Sequence, residues 1–399
     1  MTGVRRRLTC LISAVIVGFN LTVSDDQQFS YLAEAFLHGR TYLPVPPATA
    51  HDAVFFQGHY YWPLGPLPAV LLLPFVLIVR FFGLFFFQSY LHVFLVFGVF
   101  YLFFRIATKT GYSKQDAAFL AFAFCFASAF IGIAVYSGSW YFAQVVAVFL
   151  IALALLEYLG KKRFWVIGTL MSFALLTRVT AGLNILFFLM DAVVADDRSW
   201  REKFGAASAL SLPLLVGVAG LGIYNHARFD NWLEQGYSLQ YLEGAAARAR
   251  SYGVTSLVHV PGNLYYFLLA GPLPVTFDGV SQVLKFPYVK ANAWGMSIFV
   301  TSPYFLYLFR LKYDERVAKE LLLSIAVVAS LVFTYYGIGY IQFGYRYSLD
   351  FLPFLFFLLI RNYRKQNVEL SPCFKKIVLG TSLTNLYLVL TLLQIELKH

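Results

Sequence analysis

The sequence predicts an all-α polytopic membrane protein with about eleven transmembrane helices and interfacial helices in the first outer loop, and three observations carry that reading. The chain is 59% hydrophobic and only 13% charged, where a soluble domain would be about 25% charged. Its mean hydropathy is +0.67. Apolar runs close to the length of a bilayer crossing recur along it, separated by short Lys/Arg clusters of the kind that mark cytoplasmic loops. No internal repeat, Gly/Ser linker or stretch suited to a separate soluble domain interrupts the pattern, so residues 1–399 read as a single integral membrane domain.

Taken in order, Arg5, Arg6 and Arg7 precede an apolar run from Leu8 to Val23 that lacks a small-x-small cleavage site. It reads as a retained first span with its N-terminus inside. Residues 25–88 form the first extracytoplasmic loop. Within it, Ser24 and Gln27 match a capping box, Asp25 and Asp26 suit the positive end of a helix dipole, and Gly39 suits a C-terminal stop. Phe29, Leu32, Ala33, Phe36 and Leu37 recur at helical spacing between them. The spacing predicts an amphipathic helix over 25–38 that lies in the interface plane.

The apolar stretch 67–87 is punctuated by Pro68 and Pro74. Counting it as a crossing would place Arg105, Lys109 and Lys114 outside, against the positive-inside rule, so it is expected to lie along or re-enter the interface. The remaining spans are then 89–107, 117–136, 140–159, 163–178, 180–195, 205–225, 292–309, 320–340, 349–361 and 377–395. Residues 226–291 form the second large extracytoplasmic loop, and the C-terminus lies outside.

Composition also excludes functions. The net charge of +11 is spread over short clusters, with no basic helix interleaved with stacking aromatics, so no nucleic-acid partner is expected. Cys10, Cys125 and Cys373 have neither disulfide-framework nor zinc-ligand spacing, and the sequon at Asn20 falls within a span. No GxGxxG follows a strand and no GxxxxGK[ST] occurs, so any activated substrate must arrive on a lipid or already loaded.

Ionisable groups at membrane depth are costly and mark sites. On the assigned outer side these are Asp25, Asp26, Asp52, His59, Arg178, Arg228, Asp230, Arg346 and Asp350, together with Asn225; their convergence from separated segments predicts one shared cavity. Each has a structural alternative. Asp25 and Asp26 either cap a helix or supply a general base. Asp52 is a loop acid or a site acid, and His59, followed by Tyr60, Tyr61 and Trp62, is an interfacial anchor or a substrate contact. Arg178 snorkels or contacts phosphate. Arg346 and Asp350, at i and i+4, either pair or hold an anionic group between them. Trp232, Tyr237 and Tyr241 belong to an aromatic belt or stack on a sugar.

The acidic pair Asp25-Asp26 after the first span, the following YLAEAFLHGRTYL helix and the YYWPLGPLPAVLLLPF stretch resemble the GT-C superfamily of polytopic glycosyltransferases, which includes protein O-mannosyltransferases and aminoarabinose transferases. ALLTRVTAG, YNHARFDNWLEQGY and FGYRYSLDFLPF are similar to elements that recur further along such chains. The resemblance implies a polyprenyl-phosphate-linked sugar donor, transfer on the extracytoplasmic face of the plasma or inner membrane to a lipid or glycan acceptor, and an acid of the first outer loop as base. By that analogy Asp25 or Asp26 is catalytic, and Arg178, Arg346, Asp52, His59, Arg228 and Tyr237 surround the substrates. Some relatives use a divalent cation and others do not; no ligand spacing here decides, so the cofactor stays open. A transporter or lipid flippase is the alternative, and it predicts paired half-repeats and charges deep in spans; a non-catalytic scaffold predicts acids that do not converge.

Overall fold

The computed structural model describes residues 1–22, 26–46, 52–195, 198–277, 279 and 282–396. Asp25 and the Ser24 half of the expected capping box therefore lie outside the described residues. The chain is mostly helical. The bundle opens with α1 (Thr2–Leu21) and the short α2 (Gln28–Leu37), then a hairpin of β1 (Val54–Phe56) and β2 (His59–Tyr61), then α3 (Leu67–Arg80). It continues through α4 (Gln88–Lys109), α5 (Lys114–Phe126), α6 (Phe130–Ala134), α7 (Ser139–Leu159), α8 (Phe164–Thr177), α9 (Val179–Gly182), α10 (Ile185–Val194) and α11 (Trp200–Phe229). After α12 (Gly244–Arg250) and α13 (Val260–Leu268) comes a second hairpin of β3 (Leu273–Thr276) and β4 (Leu284–Lys290), and then α14 (Ile298–Thr301), α15 (Arg316–Phe333), α16 (Leu352–Gln366) and α17 (Pro372–Glu396). The expected helical architecture is present, with two short antiparallel hairpins added to it, both in the stretches read as large loops.

Among the described residues, four helices are long and apolar enough to cross a membrane: α4, α7, α11 and α17. Of the other expected crossings, the first is the continuous 20-residue α1, which carries Arg5, Arg6 and Arg7, and the rest are shorter or broken. The run 117–136 divides into α5 and α6 around Ala127–Ala129, and 292–309 resolves into α14 and a 3₁₀ turn at Pro303–Arg310. Periodicity sees apolar length and misses such breaks, because buried polar side chains rather than composition end the helices. Ser128, for example, accepts from the Phe130 amide and donates to the Phe124 carbonyl.

α2 is shorter than the 25–38 expectation. It stops where expected: Gly39 adopts φ +67°, its amide bonds to Phe36 and that of Arg40 to Ala35, a left-handed closure that favours glycine. Phe29, Leu32 and Ala33 are fully buried, so the apolar face of α2 packs into the protein, with α3 as its main neighbour. Residues 65–88 leave and return at one end of the bundle. Gly65 lies so close to the end of α8 that a Cβ there would sit 1.9 Å from the Leu176 carbonyl oxygen, and Gln88 returns to bond the Asp26 carbonyl.

The core is a set of neighbouring helix pairs, α4 with α5 and α7, α7 with α8, and α8 with α11, filled with Phe, Leu and Ala. At one end of the bundle, charges are mutually paired. Lys162 and Arg316 hold Asp191, Arg361 and Lys365 hold Glu315, and Lys375 holds Asp116. A shallow cavity of about 500 Å³ lies at this charged end among Lys161, Lys162, Arg163 and Arg198, and two others lie at the opposite end.

Candidate functional site

Where α7 begins, the chain reads Tyr136-Ser-Gly-Ser-Trp-Tyr141. Gly138 is the N-cap of α7, leaving the first amides of that helix without intrahelical acceptors. The amide of Ser139 donates to Asp26 Oδ2 at 3.0 Å, so the carboxylate sits on the positive end of a long helix. Only glycine allows this approach: a Cβ on Gly138 would lie 2.4 Å from Asp26 Oδ2. The loop bearing Asp26 is fixed from both sides. Gln88 Nε2 donates to the Asp26 carbonyl at 2.9 Å, Gln27 Oε1 accepts from the Gln88 amide at 3.0 Å, and Ser139 Oγ donates to Gln28 Oε1 at 2.5 Å.

Asp26 opens onto a cavity of about 770 Å³, within the range of small-molecule sites. Asp52 lines it as well, its backbone carbonyl accepting from Gln240. Burial pushes the Asp26 carboxyl up to about 6, and the charge of Asp52 adds to the rise; hydrogen bonds from Ser139 and Gln28 oppose it. The walls are aromatic, with Trp140, Tyr141, Trp294, Tyr335, Tyr336 and Tyr347 among them.

Arg346 enters the same cavity. It is 6% exposed, and its Nε and Nη1 atoms are buried without hydrogen-bond partners among the described residues. Its guanidinium lies over the rings of Tyr141 at 5.1 Å and Tyr347 at 4.9 Å. Its backbone is held by Gln144, whose Nε2 donates to the Arg346 carbonyl at 3.1 Å. The i,i+4 pairing with Asp350 is corrected: residues Arg346–Asp350 form a 3₁₀ turn, in which positions i and i+4 do not stack as they do in an α-helix. Asp350 turns instead to Arg178, which donates to it bidentately at 2.8 and 3.0 Å, with Thr180 Oγ1 adding a third bond at 2.5 Å.

That ion pair lines a second cavity of about 290 Å³, mostly apolar, which shares Trp140, Tyr335 and Tyr347 with the first. Arg178 occupies an extended residue that breaks α8 from α9, and this break is what turns its side chain toward Asp350. Tyr237 lies here too, its ring 6.4 Å from Trp140 and 5.9 Å from Tyr335.

Two expected site residues lie elsewhere. His59 is exposed on β2, stacked 4.0 Å from the Tyr42 ring, and lines neither cavity. Arg228 is buried, donates to the Trp62 carbonyl and Asn225 Oδ1, and covers the Tyr224 and Phe229 rings; it fastens the end of α11 to the first loop. Of the aromatics from the second loop, Trp232 stacks on His226, while exposed Tyr241 bonds Glu243. Sequence reasoning missed Gly138, Ser139, Trp140, Tyr141, Gln240 and the tyrosines of TYYGIGY. Their signal was local: small residues between aromatics at a helix start, and glycines spacing tyrosines. For a divalent cation, Asp26 and Asp52 are suitable oxygen donors, and among the described residues no group of three or more His, Cys, Asp or Glu side chains joins them.

No family model and no curated protein matches the chain. Among solved structures it is similar to the apo crystal structure of the Archaeoglobus fulgidus oligosaccharyltransferase, at 12% identity and a TM-score of 0.46, over 97% of this chain and 55% of that one. The chain thus spans about half the length of that protein.

Proposed function

We propose that this chain is a membrane glycosyltransferase that moves a sugar from a lipid-phosphate-linked donor to an acceptor hydroxyl, with Asp26 as general base and Arg346 holding the leaving phosphate. The observation that carries the reading is one aromatic cavity of about 770 Å³ onto which a carboxyl raised to about 6 and a buried guanidinium with unbonded donors both open.

The chemistry follows from those groups. As the acceptor oxygen attacks the anomeric carbon it loses its proton to Asp26, whose raised pKa makes it a better proton acceptor near neutrality. The glycosidic bond to phosphate breaks, and the departing lipid phosphate gains charge. Arg346 stabilises that charge where water is scarce, and its free donors match phosphate oxygens. Arg178 is already paired bidentately with Asp350, so it shapes the neighbouring apolar cavity and leaves phosphate contact to Arg346. Tyrosine and tryptophan faces orient the sugar. Asp52 keeps Asp26 basic through its own charge. The extracytoplasmic placement of the cavity, and of 25–88 and 226–291 as its outer loops, belongs to this proposal and is supported by the paired Lys/Arg clusters at the far end.

The test is transfer by purified protein in nanodiscs from a polyprenyl-phosphate-linked sugar to membrane acceptors. Asp26→Asn should lower turnover by roughly 10²–10⁴-fold. Wild-type turnover in both Asp26→Asn and Arg346→Ala would refute the assignment.

A further inference from the structure

The hairpin of β3 and β4 presents apolar side chains that no described residue covers. Phe277 is 65% and Phe286 74% exposed, and Leu273, Leu284 and Tyr288 are exposed beside them. A soluble surface rarely carries so many large apolar groups together. Its attachment identifies what covers it. The hydroxyl of Tyr387 on α17 donates to the Pro287 carbonyl, and the amide of Ala291, just after β4, donates to Thr391 Oγ1 at 3.0 Å. The candidate span of α17 is Pro372–Leu393, and Tyr387 and Thr391 lie in its last two turns. The hairpin joins α17 within this last stretch, where Leu383 and Tyr387 are themselves exposed on the helix.

Two further features bound the depth. A two-stranded hairpin has two unpaired backbone edges, which the hydrocarbon core does not tolerate and the headgroup region does. Lys285 folds back to donate to the Phe277 carbonyl at 3.4 Å, and Lys290 ends the apolar row of β4, where its stem suits a side chain that lies along acyl chains and extends the ammonium to lipid phosphates.

We propose that the β3–β4 hairpin is a lipid-facing anchor, its backbone at headgroup level and its aromatic side chains reaching into the upper acyl chains of the leaflet at the cavity end of the bundle. Its occupant is the bilayer, and this holds whether or not the cavity transfers sugar. By seating the strand that leads through Ala291 to Trp294 on the cavity wall, the anchor fixes that wall at a set height above the acyl chains.

The experiment places the fluorophore NBD at Phe286→Cys, and separately at Phe277→Cys, in full-length protein whose Cys10, Cys125 and Cys373 are replaced by alanine, with Ser251→Cys on the exposed turn after α12 as the water-facing control. In nanodiscs of phosphatidylcholine and phosphatidylglycerol, lipid doxyl-labelled at acyl carbon 5 should quench both hairpin labels about twofold or more. Quenching by carbon-12 doxyl should be weaker, and the control should not change. Water-like emission without quenching at both hairpin positions overturns the proposal. So does stronger quenching by the deeper label, or shielding found only in native membranes and absent from nanodiscs, which would assign the face to a protein partner. Two independent label sites keep the test decisive if one substitution fails to fold.

Discussion

At the scale of single residues, the candidate base and the candidate phosphate ligand are both held in states that folding alone does not favour. The Asp26 carboxyl is raised to about 6 from an ordinary 3.8, so the folded chain holds its proton more tightly than the unfolded chain does. Between about pH 4 and 6 the unfolded chain gives up that proton while the folded one keeps it, and stability falls as pH rises; above about 6 the loss is complete. Asp26→Asn removes the buried charge and its repulsion with Asp52, and its side-chain oxygen still accepts from the Ser139 amide. It should therefore melt higher than wild type at pH 8, melt with wild type near pH 4, and be inactive throughout, as scanning calorimetry and transfer assays at both pH values would register. Wild-type turnover should in turn rise with pH through about 6 and level off above it, since only the ionised carboxylate accepts a proton; a profile flat from pH 5 to 8 would contradict a base at this position.

Arg346 follows the same logic. A buried guanidinium with unbonded donors destabilises the empty protein. Arg346→Met should raise the melting temperature without donor and abolish the further rise that donor binding gives wild type, a pair of changes that thermal melts with and without donor would separate. Asp350→Ala is the opposite case. It strands Arg178 as an uncompensated buried charge and should lower stability by roughly 3–5 kcal/mol in chemical unfolding.

At the scale of elements, the start of α7 decides where the acid sits. Gly138 leaves just enough room for Asp26 to reach the Ser139 amide. Gly138→Ala should push the carboxylate away from the helix end, reducing turnover at least tenfold while circular dichroism keeps its helical signal; unchanged turnover would show that this contact does not position the base. The break between α8 and α9 plays the corresponding part for Arg178, since a continuous helix through residue 178 would direct that side chain elsewhere. Turn chemistry was readable where one residue type dictates backbone shape, as at Gly39, and unreadable at Arg178, whose extended backbone serves a bond to an aspartate 172 positions away.

For the whole molecule, apolar length, the recurrence of basic clusters and the gathering of outer polar residues toward one end were legible in the sequence, because each depends on composition and order along the chain. Periodicity located α2, α4, α7 and α11 because single apolar faces and long apolar runs leave a local signature. Which arginine is paired, which acid meets the cavity and which aromatic forms its wall depend on contacts between residues distant in the chain, and no local pattern encodes them. The sequence proposed Arg346 with Asp350; packing gave Asp350 to Arg178 and left Arg346 its free donors. It placed His59 and Arg228 in the site; packing set one on an exposed strand and used the other to tie α11 to the first loop. By itself, then, the sequence determined a helical chain suited to a membrane and the residue types at one end of it. Tertiary structure alone decided their partners, since a buried charge is settled by the counter-charge that folding brings within reach, wherever in the chain that counter-charge lies.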